Sequence, residues 1–250
     1  MRFLIAALIL LAACGPRPEQ TAPSSTVPRQ ADHLWFICDA IDAPTLFVFE
    51  RDGDTVRVAE YDKPNGAIVT RHEFIAGAEE GAAGSVYTSL LRDGADAGAV
   101  RALNPGMLET PGAAFTTPIS SVRLDDRTVS CRWLPRTRLM GFTGRRTIVV
   151  HEDADGDLIY TSYDFANAAS AAAIELSDNA RTTAFSLEVR GGGETLNADG
   201  VVFQFQADSE TEIIVTETRE TGGAVEVRRH GPNPSQTEQL IAAQTGEAET

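Results

Sequence analysis

The chain has 250 residues, 42% hydrophobic and 23% charged, with 21 basic residues against 36 acidic ones and a formal net charge of −15. That hydrophobic content is ordinary for a globular chain, and the length allows one large domain or two small ones. Such acidity excludes nucleic-acid binding through a general electrostatic footprint and repels anionic lipid head groups.

Arg2 gives the N-terminus a positive start, and Phe3 to Ala13 form an uncharged run. A run of about a dozen residues is the length of a secretory signal core and too short to span a bilayer. Its end, Leu11-Ala12-Ala13-Cys14, followed by Gly15, resembles the bacterial lipobox. The resemblance implies that residues 1–13 are a lipoprotein signal peptide and that the mature chain begins at a lipidated Cys14. Such a cysteine carries a diacylglyceryl thioether and an amide-linked acyl chain, palmitate for example. Each buried methylene contributes about 0.8 kcal/mol, and two or more chains make anchoring stable. In the lipoprotein sorting pattern an Asp after the cysteine favours the inner membrane. Gly15 stands there, so the expected address is the inner leaflet of the outer membrane, facing the periplasm, with the inner membrane as the alternative. Residues 14–32 then read as a tether, with Pro16, Pro18, Pro23 and Pro28 among Gln, Ser, Thr and Ala. A proline-rich spacer runs at roughly 3.1 Å per residue and reaches about 50 Å.

Period-two alternation with β-branched and aromatic enrichment dominates from residue 33 onward. It predicts strands over 33–39, 45–50, 55–61, 67–75, 85–91, 117–124, 127–133, 146–152, 158–165, 183–190, 200–206, 212–217 and 224–229. Between them lie turn sequences such as Arg51-Asp52-Gly53-Asp54, Lys63-Pro64-Asn65-Gly66 and Asp153-Ala154-Asp155-Gly156-Asp157. Ala166 to Leu176, rich in alanine, is the best helix candidate. The fold class is therefore mainly β, an antiparallel barrel or sandwich with one short helix. Its expected layout is a first β unit over 33–139, a second over 140–231, and a mobile tail over 232–250. A faint repeat supports two units: residues 35–50 align without gaps on 202–217, and 147–163 carries a third hairpin of the same pattern.

With Cys14 assigned to lipid, Cys38 and Cys131 form an even pair, and an oxidising compartment favours their disulfide. Alternation puts Cys38 on the face of Phe36, and Cys131 on the face of Val129 and Trp133, so both sulfurs face an apolar side. No Cys-x-x-Cys spacing activates them for redox work.

The sharpest local anomaly is a cationic run in an acidic chain: Arg132, Trp133, Arg136, Arg138, Arg145 and Arg146 within fifteen residues. Arginine forks bind carboxylate or phosphate bidentately, which makes these six the candidate ligand-binding residues. The competing and favoured reading pairs the arginines with the protein's own acids between the two halves. Asp153, Asp155 and Asp157 alternate as calcium ligands do, but Gly156 and Asp164 sit where an EF-hand loop needs other residues, so a solvated turn is favoured. His33, His72, His151 and His230 are scattered, and no metal or other cofactor is expected. No nucleophile elbow, Ser-x-x-Lys or phosphate loop occurs, and Lys63 is the sole lysine. The expected function is non-enzymatic: a binding or inhibitory module with the membrane as partner through its lipid and an envelope protein or glycan as the other. The alternative is an envelope glycan hydrolase using dispersed carboxylates.

Cys38, the segment Ala83-Gly84-Ser85-Val86-Tyr87 and Cys131 together resemble the membrane-bound lysozyme inhibitors over about residues 35–133. That family consists of small lipid-anchored periplasmic barrels with a disulfide and a Ser-Gly-x-x-Tyr segment that meets the lysozyme cleft. Two departures stand out: Ala83 replaces the serine, and no lysine follows, Arg92 being the nearest substitute.

Overall fold

The computed structural model describes residues 33–63, 65–82, 84–104, 115–168, 173–175, 181–218, 222–230 and 234–246, and the lipobox and tether lie outside them. Eight strands follow one another as an antiparallel meander: β1 (Leu34–Asp39), β2 (Thr45–Asp52), β3 (Thr55–Asp62), β4 (Ala67–Ala82), β5 (Ser85–Arg92), β6 (Ala95–Leu103), β7 (Ile119–Leu124) and β8 (Arg127–Ser130). Alternate residues of all eight point to one interior, where Phe36, Phe49, Val58, Phe74, Leu90, Val100, Val122 and Val129 form a single buried cluster. Phe36 stacks on Phe49 with centroids 4.3 Å apart, a contact of the kind that contributes about 1 kcal/mol beyond its area. One interior shared by all eight strands requires the sheet to curl. Its edges meet at one end, where Ala40 bridges Cys131, the Ile41 amide donates to the Ser130 carbonyl at 2.9 Å, and the Arg132 amide donates to the Asp39 carbonyl at 2.8 Å. The Cys38–Cys131 disulfide locks this seam, with Cα atoms 4.9 Å apart and the two residues separated by 93 in sequence.

The rest of the chain builds two five-stranded antiparallel sheets. The first, in spatial order, is β14 (Leu187–Arg190), β11 (Leu158–Asp164), β10 (Arg146–Glu152), β9 (Thr137–Phe142) and β20 (Ala242–Thr245). The second is β15 (Gly193–Asn197), β16 (Gly200–Gln206), β17 (Thr211–Thr218), β18 (Gly222–Arg229) and β19 (Gln236–Gln239). Leu139, Ile148, Val150 and Tyr160 from one face of the first meet Phe203, Phe205, Ile213 and Val215 of the second. The opposite face, with Met140, Phe142, Val149 and Tyr163, packs on Ile37, Leu46, Val48 and Tyr61 from the outside of the curled sheet. The middle sheet is thus covered on both faces, which explains why burial along β9, β10 and β11 runs through consecutive residues, Thr161 and Ser162 included, rather than alternating.

Three expectations need correction. Ala166–Leu176 is not one helix: α1 (Phe165–Ala168) is a single turn, and β12 (Ala173–Glu175) pairs backbone to backbone with β13 (Arg181–Thr183). Alanine propensity is worth tenths of a kcal/mol per residue, and strand pairing outweighs it. The tail expected to be mobile supplies β19 and β20, and β20 completes the middle sheet beside β9. The boundary at 139 falls inside β9, whereas the meander ends at Ser130. The aligned repeats at 35–50 and 202–217 are both hairpins, but Phe36 pairs with Phe49 while Phe203 pairs with Val215. The two registers differ by one residue, which reverses the face of one strand relative to the other.

Candidate functional site

Alternation at the seam decides what stands beside the disulfide. Cys38 and Cys131 point into the curled sheet, so their neighbours Asp39 and Arg132 point out of it together. Arg132 Nε donates to Asp39 Oδ2 at 2.7 Å, and both side chains are fully buried. Lys63 arrives from the β3–β4 turn, its Nζ 2.6 Å from Asp39 Oδ1 and hydrogen-bonded to the Ala40 carbonyl. Gly66 holds that turn in place: its φ of +62° suits glycine, and a Cβ there would lie 2.6 Å from the Cα of Gly144 in the β9–β10 turn.

The far side of Arg132 belongs to the later sheets. Its guanidinium lies over the Tyr163 ring at 3.4 Å from the centroid, and it donates to Thr182 Oγ1 at 2.5 Å and Thr183 Oγ1 at 3.1 Å. Thr182 Oγ1 in turn bonds the Tyr163 hydroxyl at 3.0 Å. Planar stacking combined with a donor fork is a role that arginine fills and lysine does not. Burial alone would raise the Asp39 pKa, but Lys63 and Arg132 outweigh it and hold the carboxyl at about 2. The group is a fixed anion between two cations and is unsuited to exchange protons near neutral pH.

This cluster floors a cavity of about 240 Å³ whose walls include Ile41, Asp164, Phe165, Phe185 and Ser186. Asp164 at the wall pairs with Arg146 at 3.4 Å, and Ser186 Oγ accepts its amide at 2.9 Å. A wider groove of about 390 Å³ runs along the outside of the curled sheet beside β20. Glu50, Arg57 and Glu73 form a cross-strand row in it, with Arg57 3.5 Å from Glu73. Two strand spacings separate the carboxylates, roughly 9.5 Å, but a guanidinium occupies the gap where a glycosidase keeps its substrate and water.

The predicted cationic run is dispersed. Only Arg132 reaches the cavity, while Trp133 is buried in the core between the first two layers. Arg138 donates to Glu152 and Glu194, each at 2.7 Å, and so ties the middle sheet to the outer one. Arg146 and Arg145 reach Glu238 at 3.1 and 3.7 Å, and Arg136 donates to the Asp153 carbonyl at 2.6 Å. The Asp153 carboxylate accepts the amides of Asp155 and Asp157 at 3.0 Å each, which closes the Asp-Gly turn on itself. Burial lowers the His151 pKa and keeps that ring neutral. Among the described residues, no group of three His, Cys, Asp or Glu side chains is placed to hold a metal ion. In the inhibitor-like segment, Ser85 is buried and accepts from Arg101 Nε at 2.9 Å, and Arg101 also lies 5.9 Å from the half-exposed Tyr87 ring. Arg92, expected to stand in for the missing lysine, instead pairs with Asp125 and covers Phe74 at the other end of the strand. Ala83 lies outside the described residues.

Sequence reasoning missed Lys63 and Asp39. Lys63 reads as a turn residue, and Asp39 as a strand end. The usable signal was the pair of cysteines: once they bond and face inward, residues 39 and 132 must share the opposite face. Compared with family profiles, with functionally characterised proteins and with solved structures, the chain matches none.

Proposed function

We propose that the chain is a bacterial envelope lipoprotein, acylated at Cys14 and tethered to the inner leaflet of the outer membrane, whose β body is a non-enzymatic binding or inhibitory module. The observation that carries the binding reading is the cavity floor, where Asp39 is clamped by Lys63 and Arg132. A carboxylate clamped between two buried cations is preorganised to hold a partner in place, and held this way it is a poor general base or nucleophile. The disulfide supports an oxidising compartment, because such bonds are rare where thiols are kept reduced. The inhibitory variant of the reading draws on Tyr87 and Arg101, an exposed aromatic and a cation side by side.

The test uses the full chain made in a bacterium with an outer membrane. Wild type should sediment with outer-membrane vesicles and carry the acyl mass, and Cys14→Ser should lose both. Purified protein incubated with peptidoglycan should release no reducing ends. It should slow lysozyme on the same substrate if the inhibitory variant holds, and Tyr87→Ala should relieve that slowing. Reducing ends released by the protein alone would favour the hydrolase and end the binding reading.

A further inference from the structure

We propose that the cavity under the seam is a site for one neutral sugar ring, stacked on Phe185 and hydrogen-bonded to Asp164 and Ser186. The inference rests on the binding reading above and names its ligand class. Charge comes first. Lys63 and Arg132 on the lining are matched by Asp39 and Asp164, while Arg146 behind the wall lies nearer Glu238, at 3.1 Å, than Asp164, at 3.4 Å. A guest with a net charge would bring a partly buried charge without a counterpart, which is costly, so the guest is uncharged.

The open polar atoms decide its functional groups. Asp164 Oδ1 is sealed from solvent, so the oxygen that opens from this 36% exposed side chain is Oδ2, an acceptor that takes no hydrogen bond among the described residues. Ser186 beside it is exposed. Its Oγ accepts the Asp164 amide at 2.9 Å, and its hydroxyl hydrogen has no acceptor among the described residues. The wall thus offers a carboxylate acceptor and a hydroxyl donor close together. Ligand hydroxyls answer both, since each carries one O–H and two lone pairs. The floor plays another part: Asp39, Lys63 and Arg132 are at most 3% exposed and engage one another, Ala40, Thr182 and Thr183, so they set the walls in place.

Phe185 supplies the third element. It lines the cavity, stands 52% exposed, and lies in an exposed run over residues 184–187. A pyranose carries hydroxyls on its rim and C–H bonds on its face, and those hydrogens bear a slight positive charge that suits the negative face of an aromatic ring. A ligand that is polar at its edge and apolar on its flat side therefore matches a wall with Asp164 and Ser186 next to an open phenyl face. The cavity, about 240 Å³, lies below the usual range for drug-sized ligands, which limits the guest to a single ring. Leu187, 40% exposed and outside the lining, is the control for a merely sticky surface.

The probes are N-acetylglucosamine, glucose and galactose, each titrated into the full chain to about 50 mM, in the weak-binding range, by saturation-transfer NMR and thermal melt. At least one should bind, with transfer strongest to the C–H hydrogens of one ring face and a melting temperature that rises with the logarithm of sugar concentration. Glucuronate brings a negative charge to Asp164, and tetrahydropyran-2-methanol lacks the ring hydroxyls, so both should bind at least about fivefold more weakly. Phe185→Ala should weaken sugar binding about tenfold and Ser186→Ala about fivefold, while Leu187→Ala leaves it unchanged. All three changes fall at exposed positions and spare the core. Co-sedimentation with insoluble peptidoglycan, reversed by the bound sugar, would place the ring in a glycan. Sugar binding without co-sedimentation would make the guest a free sugar, and either result supports the site. No response to any of the three sugars, an equal response to glucuronate or tetrahydropyran-2-methanol, or binding that survives Phe185→Ala would overturn the assignment. Reducing ends released from peptidoglycan test the binding reading separately, so the two failures are distinguishable.

Discussion

Asp39→Asn removes one charge from the buried cluster while keeping its shape, so it isolates the electrostatics of the seam. In the wild type the carboxylate lies 2.6 Å from Lys63 Nζ and 2.7 Å from Arg132 Nε, with every side chain at most 3% exposed. Neutralising it leaves two buried cations facing each other without a counter-charge, a class of change that costs about 3–5 kcal/mol. For a chain of this size each kcal/mol moves the melting temperature by roughly 2–4 °C, so the variant should melt about 10 °C or more below wild type at pH 7. The pH dependence gives an independent handle. The folded pKa of about 2 lies below the ordinary 3.8, so the unfolded chain binds the proton first as pH falls. The stabilisation is therefore whole above about pH 5 and is lost as pH drops through 4 toward 2, a shift worth about 2 kcal/mol. Urea melts of wild type and Asp39→Asn at pH 7, 5, 4 and 3, read as differences so that other carboxylates cancel, should show the gap narrowing on the acid side. A variant that melts within about 2 °C of wild type, or a gap constant from pH 7 to 3, would refute the account of the cluster.

Four further outcomes follow from neighbouring features. Cys38→Ala with Cys131→Ala opens a loop of 93 positions, and chemical denaturation should show a loss approaching, but not exceeding, about 4–5 kcal/mol. Arg138→Ala strands Glu152 and Glu194, which are 16% and 19% exposed, so its melt should report about 2–3 kcal/mol, short of the full cost for a wholly buried pair. Arg136→Gly, by contrast, loses one hydrogen bond but relieves a φ of +52°, and should stay within about 1 kcal/mol of wild type. Gly66→Ala forces a left-handed alanine against the Gly144 backbone and should cost about 2–3 kcal/mol by the same melt.

Most strands that sequence patterning located have one buried face, β10 and β11 being buried on both. The ones it missed fail the pattern for physical reasons that the structure makes plain. Along β6, Ala95 to Leu103 are mostly alanine and glycine, poor in β propensity, yet the strand is held between β5 and β7, and a Cβ on Gly98 would lie 2.5 Å from the Arg123 carbonyl. Around β9 the arginines draw the eye to charge, while Leu139, Met140 and Phe142 alternate between two buried faces. Strands β19 and β20 are short and each lies at a sheet edge, β19 beside its neighbour in sequence β18 and β20 fixed by β9, a partner far away in sequence.

The candidate site was legible only in its framework. The cysteine pairing and the favoured reading of arginines meeting the chain's own acids both had local signals, one in alternation and parity, the other in composition. The convergence of Asp39, Lys63, Arg132, Tyr163 and Thr182 had none, because it joins the curled sheet's seam to a turn, the end of β11 and the short β13. Those contacts also explain what the cluster does for the fold. Arg132 is gripped by Asp39 on the curled sheet and by Tyr163, Thr182 and Thr183 from the later part of the chain, so it ties together elements distant in sequence. Lys63 adds a second cation from the β3–β4 turn, and Asp164 on the wall of the same cavity is the second carboxylate, so the tie draws a third stretch of chain into the seam with its charges matched.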